Sequence, residues 1–256
     1  MAGDGKVGGT SRKMLEILKQ IKLLLAAGAP LNVFAKVVAD LIYKPALNTE
    51  NKLQLAQFRA DSEKLSLSTK WFMPHAENWL RILRHWQQGG GSGFNSQIGL
   101  EIGSWEGLSS FFTLSVMPKL LLTCVDTWEG SDENISAGTN MNNVEQNFVA
   151  NTKSFGSRMS RFKGTSFKFF ATLPAPETFD FIYVDGSHYV DDVMIDAIKA
   201  FELLKVGGLM IFDDYLWAYY ADSRLNPCLA VNQFLKMKRG SYRLAYVGYQ
   251  LALLKI

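Results

Sequence analysis

The chain has 256 residues, 48% of them hydrophobic, and a formal net charge of +3. This length suits one large α/β domain or one domain with a helical extension. So small a charge does not predict nucleic-acid binding. The two cysteines, Cys124 and Cys228, have neither metal-ligand spacing nor a disulfide framework, which favours the cytoplasm. No stretch reaches the ~18 uninterrupted apolar residues of a membrane span.

The N-terminal third of the chain has helical periodicity. Apolar residues recur at helical spacing over residues 14–42, which predicts two amphipathic helices. A cap on the main domain, or a contact in a homo-oligomer, is favoured for them over a basic helix on a membrane surface. Residues 71–87 predict another helix, and the glycine-rich stretch 87–95 breaks the periodicity. We therefore predict a helical extension over residues 1–90 and the main domain over 91–256.

Strand-like and helix-like segments alternate through the main domain. The succession predicts an α/β fold with a Rossmann-like, doubly wound sheet of seven strands, the last of them antiparallel. Strands are predicted at 98–102, 121–126, 159–164, 179–185, 209–214, 241–248 and 250–256. Helices are predicted at 107–117, 144–155, 166–173, 190–206 and 228–238, and residues 131–143 as a polar loop.

Three carboxylates follow two of the predicted strands. Asp185 ends the fourth strand, and Asp213 and Asp214 end the fifth. The carboxyl ends of parallel strands lie along one edge of a sheet, where open α/β folds bind ligands. Neighbouring strand residues point to opposite faces, so both Asp213 and Asp214 can join one site only if the strand has ended by Asp213. Bringing three acids together requires a cation, a proton or a ligand to compensate them.

The first strand runs into a short glycine-containing segment, E-I-G-S-W-E-G at residues 101–107. The NAD fingerprint needs three glycines as G-x-G-x-x-G, and this segment has two. Trp105 would crowd a pyrophosphate and Glu106 would repel one. Asp126, 23 residues after Gly103, can accept hydrogen bonds from ribose hydroxyls in NAD and S-adenosylmethionine (SAM) enzymes alike. SAM carries no phosphate and is therefore the favoured ligand.

With these motifs the chain resembles the class I SAM-dependent methyltransferases. Within that class it is similar to metal-dependent O-methyltransferases, both the catechol and caffeoyl-coenzyme A type and the bacterial sugar type. The resemblance covers residues 98–217 and, loosely, the hairpin at 241–256. Its pattern E-x-G-x-aromatic-x-G-x-S lies at 101–109. The segments V-D-G-S-H at 184–188 and G-G-x-x-x-x-D-D-x-L-W at 207–217 agree in residue type, order and spacing.

The resemblance implies methyl transfer from SAM to a hydroxyl of a small molecule, a sugar or a phenolic natural product. It places Ser109 at the carboxylate of SAM and Asp126 at its ribose. The family often has an acid after the third strand, near adenine, where this chain has Ser166. The SAM contacts implied in this way are Glu101, Gly103, Ser104, Trp105, Gly107, Ser109, Asp126, Thr127, Trp128, Ser166 and Asp185.

The resemblance also implies a divalent metal, Mg²⁺ above all, held by Asp185, Asp213 and Asp214. All-carboxylate ligation suits such a hard ion. His188 stands where the family has a lysine base, and its ordinary pKa of ~6.5 suits a general base. With Asp185 it forms the predicted catalytic pair. The alternatives are a structural His188, a turn-capping Asp213 or Asp214 without metal, a metal-independent N- or C-methyltransferase, or a non-catalytic SAM-binding protein.

Overall fold

The structure, a computed structural model, describes residues 7–43, 45–88, 97–136, 138–173 and 178–256. The described helices are α1 (Val7–Ala26), α2 (Leu31–Ile42), α3 (Thr49–Ser62), α4 (Ala76–Gln88), α5 (Leu108–Val116), α6 (Asp132–Ser136), α7 (Val144–Thr152), α8 (Ser166–Phe170), α9 (Val190–Leu203) and α10 (Pro227–Met237). The strands are β1 (Gln97–Ile102), β2 (Leu120–Asp126), β3 (Met159–Lys163), β4 (Phe179–Val184), β5 (Leu204–Phe212), β6 (Tyr242–Val247) and β7 (Leu251–Lys255). Two 3₁₀ turns span Lys153–Arg158 and Ser223–Leu225.

The seven strands form one sheet in the order β3-β2-β1-β4-β5-β7-β6. Strands β1 to β5 are parallel, β7 is antiparallel to β5, and β6 is antiparallel to β7. The predicted Rossmann-like, doubly wound sheet with its antiparallel last strand is thus confirmed. The strand order reverses between β1 and β4, and open α/β sheets bind ligands at such a reversal, beside the carboxyl ends of the strands. We call this side of the sheet, formed by the ends of β1 to β5, the carboxyl edge.

Alternate residues of each central strand face two separate helical layers. In β4, Ile182 and Val184 belong to one buried cluster, and Phe181 and Tyr183 belong to the other. The first cluster includes residues of α1, α2, α9 and α10, and the second includes residues of α3, α4, α5 and α7. The N-terminal helices therefore contribute to both layers, and the fully buried Trp79 of α4 packs directly on the β4 rings.

Several elements differ from the predicted ones. Helix α3 was not predicted, because its apolar side is narrow: Leu55 and Phe58 are its buried apolar residues. The helix predicted at 71–87 begins only at Ala76. Helix α9 ends at Leu203 rather than at Gly207, because β5 begins immediately at Leu204. The predicted domain boundary falls within residues 89–96, outside the described residues, so the two-part division stays a prediction.

Helix α1 is held by its C-terminal end. Leu24 is fully buried, whereas Leu18 and Leu25 on its outer side are 56% and 65% exposed. A homo-oligomeric contact through these helices stays a prediction. Within the described ranges, no helix combines the length and the apolar character that crossing a membrane would require.

Candidate active site

Three carboxylates converge at the carboxyl edge. Strand β4 ends one residue before Asp185, and β5 ends at Phe212, one residue before Asp213. Asp214 adopts a left-handed φ of 53°, so the chain turns there instead of continuing the strand. Asp185, Asp213 and Asp214 each offer an oxygen, and these atoms all lie within 4.8 Å of one another. The strand has thus ended where a shared site requires it to end.

Uncharged donors surround two of these acids. The Tyr183 hydroxyl lies within hydrogen-bond distance of both Asp185 Oδ2, at 2.9 Å, and Asp213, and its one proton is shared between them. Gln250 Nε2 donates to Asp213 Oδ1 at 3.0 Å, and Gln250 Oε1 accepts a hydrogen bond from Trp79 Nε1 at 2.9 Å. Across the described part of the chain, no lysine or arginine forms an ion pair with the cluster. Within the described residues, the negative charge of the cluster is therefore not compensated by a lysine or an arginine.

Burial raises the pKa of the Asp185 carboxyl well above its ordinary range, and the charges of Asp213 and Asp214 raise it further. Burial and Asp214 raise the pKa of Asp213 as well. Mutual repulsion among buried carboxylates is the physical cause. A bound divalent cation would relieve it, and three carboxylate oxygens are the donor set that a hard ion prefers. The residues present therefore fit such an ion.

His188 lies beside the cluster, as predicted. Its Nε2 is 2.8 Å from Asp214 Oδ2, and its ring stacks on Trp217 with centroids 4.4 Å apart. Burial lowers the pKa of His188, but the hydrogen bond to Asp214 and the charges of Asp214 and Glu133 outweigh burial and raise it. The imidazole thus lies in direct contact with one acid of the cluster, Asp214.

Aromatic rings flank the cluster on a second side. The Tyr249 hydroxyl donates to Asp214 Oδ1, and the His75 ring stacks on Tyr249 with centroids 5.3 Å apart. Sequence reasoning missed Tyr183, Tyr249 and Gln250. The two-residue period of a strand places Tyr183 on the same side as Asp185 and could have found it. Tyr249 and Gln250 lie in the turn of the β6–β7 hairpin, where no motif marks them.

The loops after β1 and β2 are joined through Asp126. Its Oδ2 accepts hydrogen bonds from the backbone N–H groups of Ser104 at 2.7 Å and Trp105 at 2.8 Å. Its Oδ1 accepts one from the Trp128 N–H at 2.7 Å. Trp128 Nε1 donates to the Trp105 carbonyl at 3.0 Å, and its ring packs on Phe148. Trp105 Nε1 is buried without a hydrogen-bond partner among the described residues.

Glu101 lies at the end of β1 and is 2% exposed. Ser109 and Ser110 of α5 donate their hydroxyls to its two carboxylate oxygens. Burial raises the pKa of Glu101 to about 7, although hydrogen bonds from these two serines and from Cys124 oppose the shift. The sequence motif that pairs an acid with a serine eight residues later thus corresponds to a direct contact in the fold.

The glycine loop between β1 and α5 is held by contacts from the segment between α3 and α4 and from α7. Gly103 and Gly107 have φ values of 81° and 82°. The Glu106 side chain, named above as one that would repel a pyrophosphate, is 1% exposed and turned inward. Its carboxylate accepts hydrogen bonds from the Ser68 N–H and hydroxyl, at 2.6 and 2.9 Å, and from Asn147 Nδ2 at 2.8 Å.

The remaining predicted cofactor residues lie at the ends of β2 and β3. Ser166 is the first residue of α8 and follows the N-cap Thr165. The N–H of Gly164 donates to the Asp126 carbonyl at 2.9 Å, so the turn after β3 adjoins the turn after β2. The Thr127 hydroxyl accepts a hydrogen bond from the Glu129 N–H at 3.3 Å. The turns after β2 and β3 therefore lie side by side at the carboxyl edge.

Comparisons with known proteins agree with this geometry. A family model described as a methyltransferase domain matches residues 100–215. A Corynebacterium glutamicum protein of known structure is 16% identical, with a TM-score of 0.51 over 87% of this chain and 96% of that chain. A putative O-methyltransferase from Klebsiella pneumoniae is 16% identical, with a TM-score of 0.50 over 86% and 96%. TomG, an O-methyltransferase of tomaymycin synthesis from Streptomyces achromogenes solved with SAM, is 17% identical, with a TM-score of 0.49 over 87% and 96%. No match was found among curated proteins.

The matched region, residues 100–215, contains the ends of β1, β2, β3, β4 and β5, which form the carboxyl edge. The sheet topology is that expected of the class I SAM-dependent methyltransferases that the sequence resembles, and residues 100–215 match the model of a methyltransferase domain.

Proposed function

We propose that this enzyme transfers the methyl group of SAM to a hydroxyl of a small molecule, a sugar or a phenolic compound, with the help of a divalent metal. The observation that carries the proposal is the convergence of Asp185, Asp213 and Asp214, with His188 beside them. These carboxylates would hold the metal, Mg²⁺ being the ion that best suits an all-oxygen set. When bound, such an ion lowers the pKa of a hydroxyl oxygen that it contacts.

SAM would lie at the carboxyl edge, between the end of β1 and the end of β4. It supplies a methyl group made electrophilic by its sulfonium centre. We assign its contacts to Glu101, Gly103, Ser104, Trp105, Gly107, Ser109, Asp126, Thr127, Trp128, Ser166 and Asp185. Two observations support this assignment. The unpartnered Trp105 Nε1 can donate to a ligand, and Asp126 Oδ1 has one protein donor and so retains a free lone pair.

His188 is proposed to accept the proton of the acceptor hydroxyl. A general base must reach the proton that it removes, and His188 Nε2 faces the cluster, 2.8 Å from Asp214; to act as the base it would exchange this contact for the acceptor hydroxyl. Its ring is held by the stack on Trp217. The chain's own part in the reaction is then to orient the hydroxyl toward the methyl group, receive its proton and exclude water.

The acceptor would lie over the cluster, between the His75–Tyr249 stack and the His188–Trp217 stack. Tyr219 extends the second stack, with its ring 5.2 Å from that of Trp217 and nearly parallel to it. Aromatic faces of this kind support flat or ring-shaped small molecules. This supports an acceptor with a ring, either a phenol or a sugar.

A second candidate is a methyltransferase that acts on nitrogen or carbon without a metal. The contact between His188 and Asp214 favours it, because an imidazolium there would supply positive charge to the acids without an ion. The two candidates differ in one measurable property, the response to chelation.

Calorimetry with S-adenosylhomocysteine (SAH), followed by titration of Mg²⁺ into the SAH complex, tests the proposal. We expect both to bind, and we expect EDTA to abolish methyl transfer to catechol, a vicinal diol, with Mg²⁺ restoring it. SAH binding without Mg²⁺ binding would favour the metal-free candidate. Absence of SAH binding would contradict both.

A further inference from the structure

Two tyrosines form hydrogen bonds with the short helix α6, close to His188. The hydroxyl of Tyr189, the residue after His188, donates to Asp132 Oδ2 at 2.6 Å. The hydroxyl of Tyr220, in the segment after β5, donates to Glu133 Oε1. The two tyrosine rings are themselves nearly parallel, with centroids 6.3 Å apart. Two consecutive acids of α6 are thus each bound to a different loop of the carboxyl edge.

Glu133 and His188 face each other with polar atoms that lack partners. The distance from His188 Nδ1 to Glu133 Oε1 is 3.9 Å, which is too long for a hydrogen bond. Among the described residues, neither His188 Nδ1 nor Glu133 Oε2 has a hydrogen-bond partner, and both atoms are buried. The side chains are 21% and 13% exposed, so bulk water does not readily take the place of a partner. Buried polar atoms without partners are costly, which favours their pairing with each other.

A small motion would pair them. The terminal torsion of a glutamate is soft, so the carboxylate can turn Oε2 toward the imidazole while Tyr220 keeps its contact with Oε1. The His188 ring is already restricted elsewhere, because Trp217 covers one face and Asp214 lies at Nε2. The side of the ring that carries Nδ1 is the one left for Glu133.

We propose that Glu133 is a positioning residue, whose carboxylate accepts a hydrogen bond from His188 Nδ1 and so keeps Nε2 directed at the acid cluster. The inference rests on the proposed role of His188 as the base. A base held by a third group recurs in nucleophile–base–orienter arrangements, where the orienter fixes both the ring and its tautomer. Here the orienter comes from the loop after β2, and the base comes from the loop after β4.

The test is NMR of the His188 ring in the full chain with SAH and Mg²⁺. We expect a downfield, slowly exchanging Nδ1 proton, identified by its loss in His188→Asn. Glu133→Ala should abolish this signal. Glu133→Gln should retain it, because the amide oxygen still accepts a hydrogen bond. Asp132→Ala is the matched control: it removes the neighbouring acid of α6 and its tyrosine contact, and it should leave the signal in place.

Glu133→Leu gives a second variant without an acceptor, in case Glu133→Ala does not fold. An Nδ1 signal unchanged in the folded variants, or absent from the wild type, would overturn the inference. SAH calorimetry on the same samples separates this result from the proposed function. A wild type that shows the signal but binds no SAH contradicts the function alone, and one that binds SAH without the signal contradicts the role of Glu133 alone.

Discussion

Gly103 touches the backbone of Asp185 so closely that no side chain fits between them. A Cβ atom built on Gly103 would lie 1.8 Å from the Asp185 carbonyl oxygen and 2.8 Å from the Cα of Gly186. The Asp185 N–H in turn donates to the Ile102 carbonyl at 2.7 Å. The loop proposed to hold SAM and the first acid of the cluster are therefore one rigid unit at the point where the strand order reverses.

Gly103→Ala should consequently be among the most destabilising single changes in the domain. The backbone of Asp185 cannot rotate away as a side chain could, so we expect a loss of more than about 4 kcal/mol in the free energy of unfolding. Urea denaturation measures it. Gly240→Ala is the control, because Gly240 has a similar φ of +86° but no atom within 4 Å of its added Cβ. It should cost only about 1–2 kcal/mol, from the left-handed backbone. If both variants lose the same free energy of unfolding, the close approach of Gly103 to the Asp185 backbone does not add to the cost.

Asp185→Ala should remove metal-supported turnover and leave the fold intact. Loss of a ligand that helps stabilise developing charge removes several kcal/mol, so methyl transfer to catechol should fall by at least about 100-fold. Asp222→Ala serves as the control, since Asp222 lies on the surface and pairs with Arg224. It should leave the rate unchanged. Full activity in the Asp185 variant would refute the metal assignment.

Binding of Mg²⁺ should release protons. Because the pKa values of Asp185 and Asp213 are raised, the metal-free cluster retains protons at pH values where ordinary aspartates are ionised. Metal must displace them, so affinity should fall as the pH is lowered toward the ordinary aspartate range. Calorimetry in two buffers of different ionisation enthalpy detects the release. Heats that do not depend on the buffer at any pH would mean that the acids are already ionised.

Glu101→Gln should stabilise the protein at alkaline pH. The folded-state pKa of Glu101 is about 7 against an ordinary 4.5, so the folded state binds the proton more tightly than the unfolded state. The stability linked to this proton is complete below about pH 4.5 and is lost as the pH rises through 7. The shift corresponds to roughly 3 kcal/mol at most.

The Gln variant should therefore gain about 1–3 kcal/mol over the wild type at pH 8 and nothing near pH 4.5. Urea unfolding at the two pH values measures the difference. Glu202→Gln is the matched control, because Glu202 is exposed and pairs only with Lys199 within the described chain. A gain that is the same at both pH values would mean that the charge of Glu101 is not its cause.

Ser68→Ala should weaken the link between the segment that connects α3 and α4 and the glycine loop. It removes one of the donors to the buried Glu106 carboxylate, which should cost about 1–3 kcal/mol of stability. Affinity for SAH should fall with it, because Glu106 lies within that loop. Ser66→Ala is the control, since the Ser66 contacts to Asn151 use backbone atoms alone. If the two variants have the same stability and the same affinity for SAH, the contact of Ser68 with Glu106 does not support the glycine loop.

Much of the catalytic domain could be predicted from local pattern. The apolar run of β4 and the glycine and acid after β1 mark strand ends, and parallel strands bring those ends to one edge whatever the details of packing. The convergence of Asp185 with Asp213 and Asp214 follows from this rule, with one condition: the strand had to end at Phe212. The left-handed turn at Asp214 ends the strand there, and no feature of the local sequence predicts this turn.

Contacts between segments that are far apart in the chain were decided by the tertiary structure alone. Glu106 faces Ser68 rather than a ligand, and Tyr249 reaches Asp214 from a hairpin turn that carries no motif. Glu133 lies close to His188, which is 55 residues later in the sequence. Strand and helix periods fix which side a residue faces within its own element, but the packing of loops against one another depends on the whole set of buried contacts, and no local pattern encodes it.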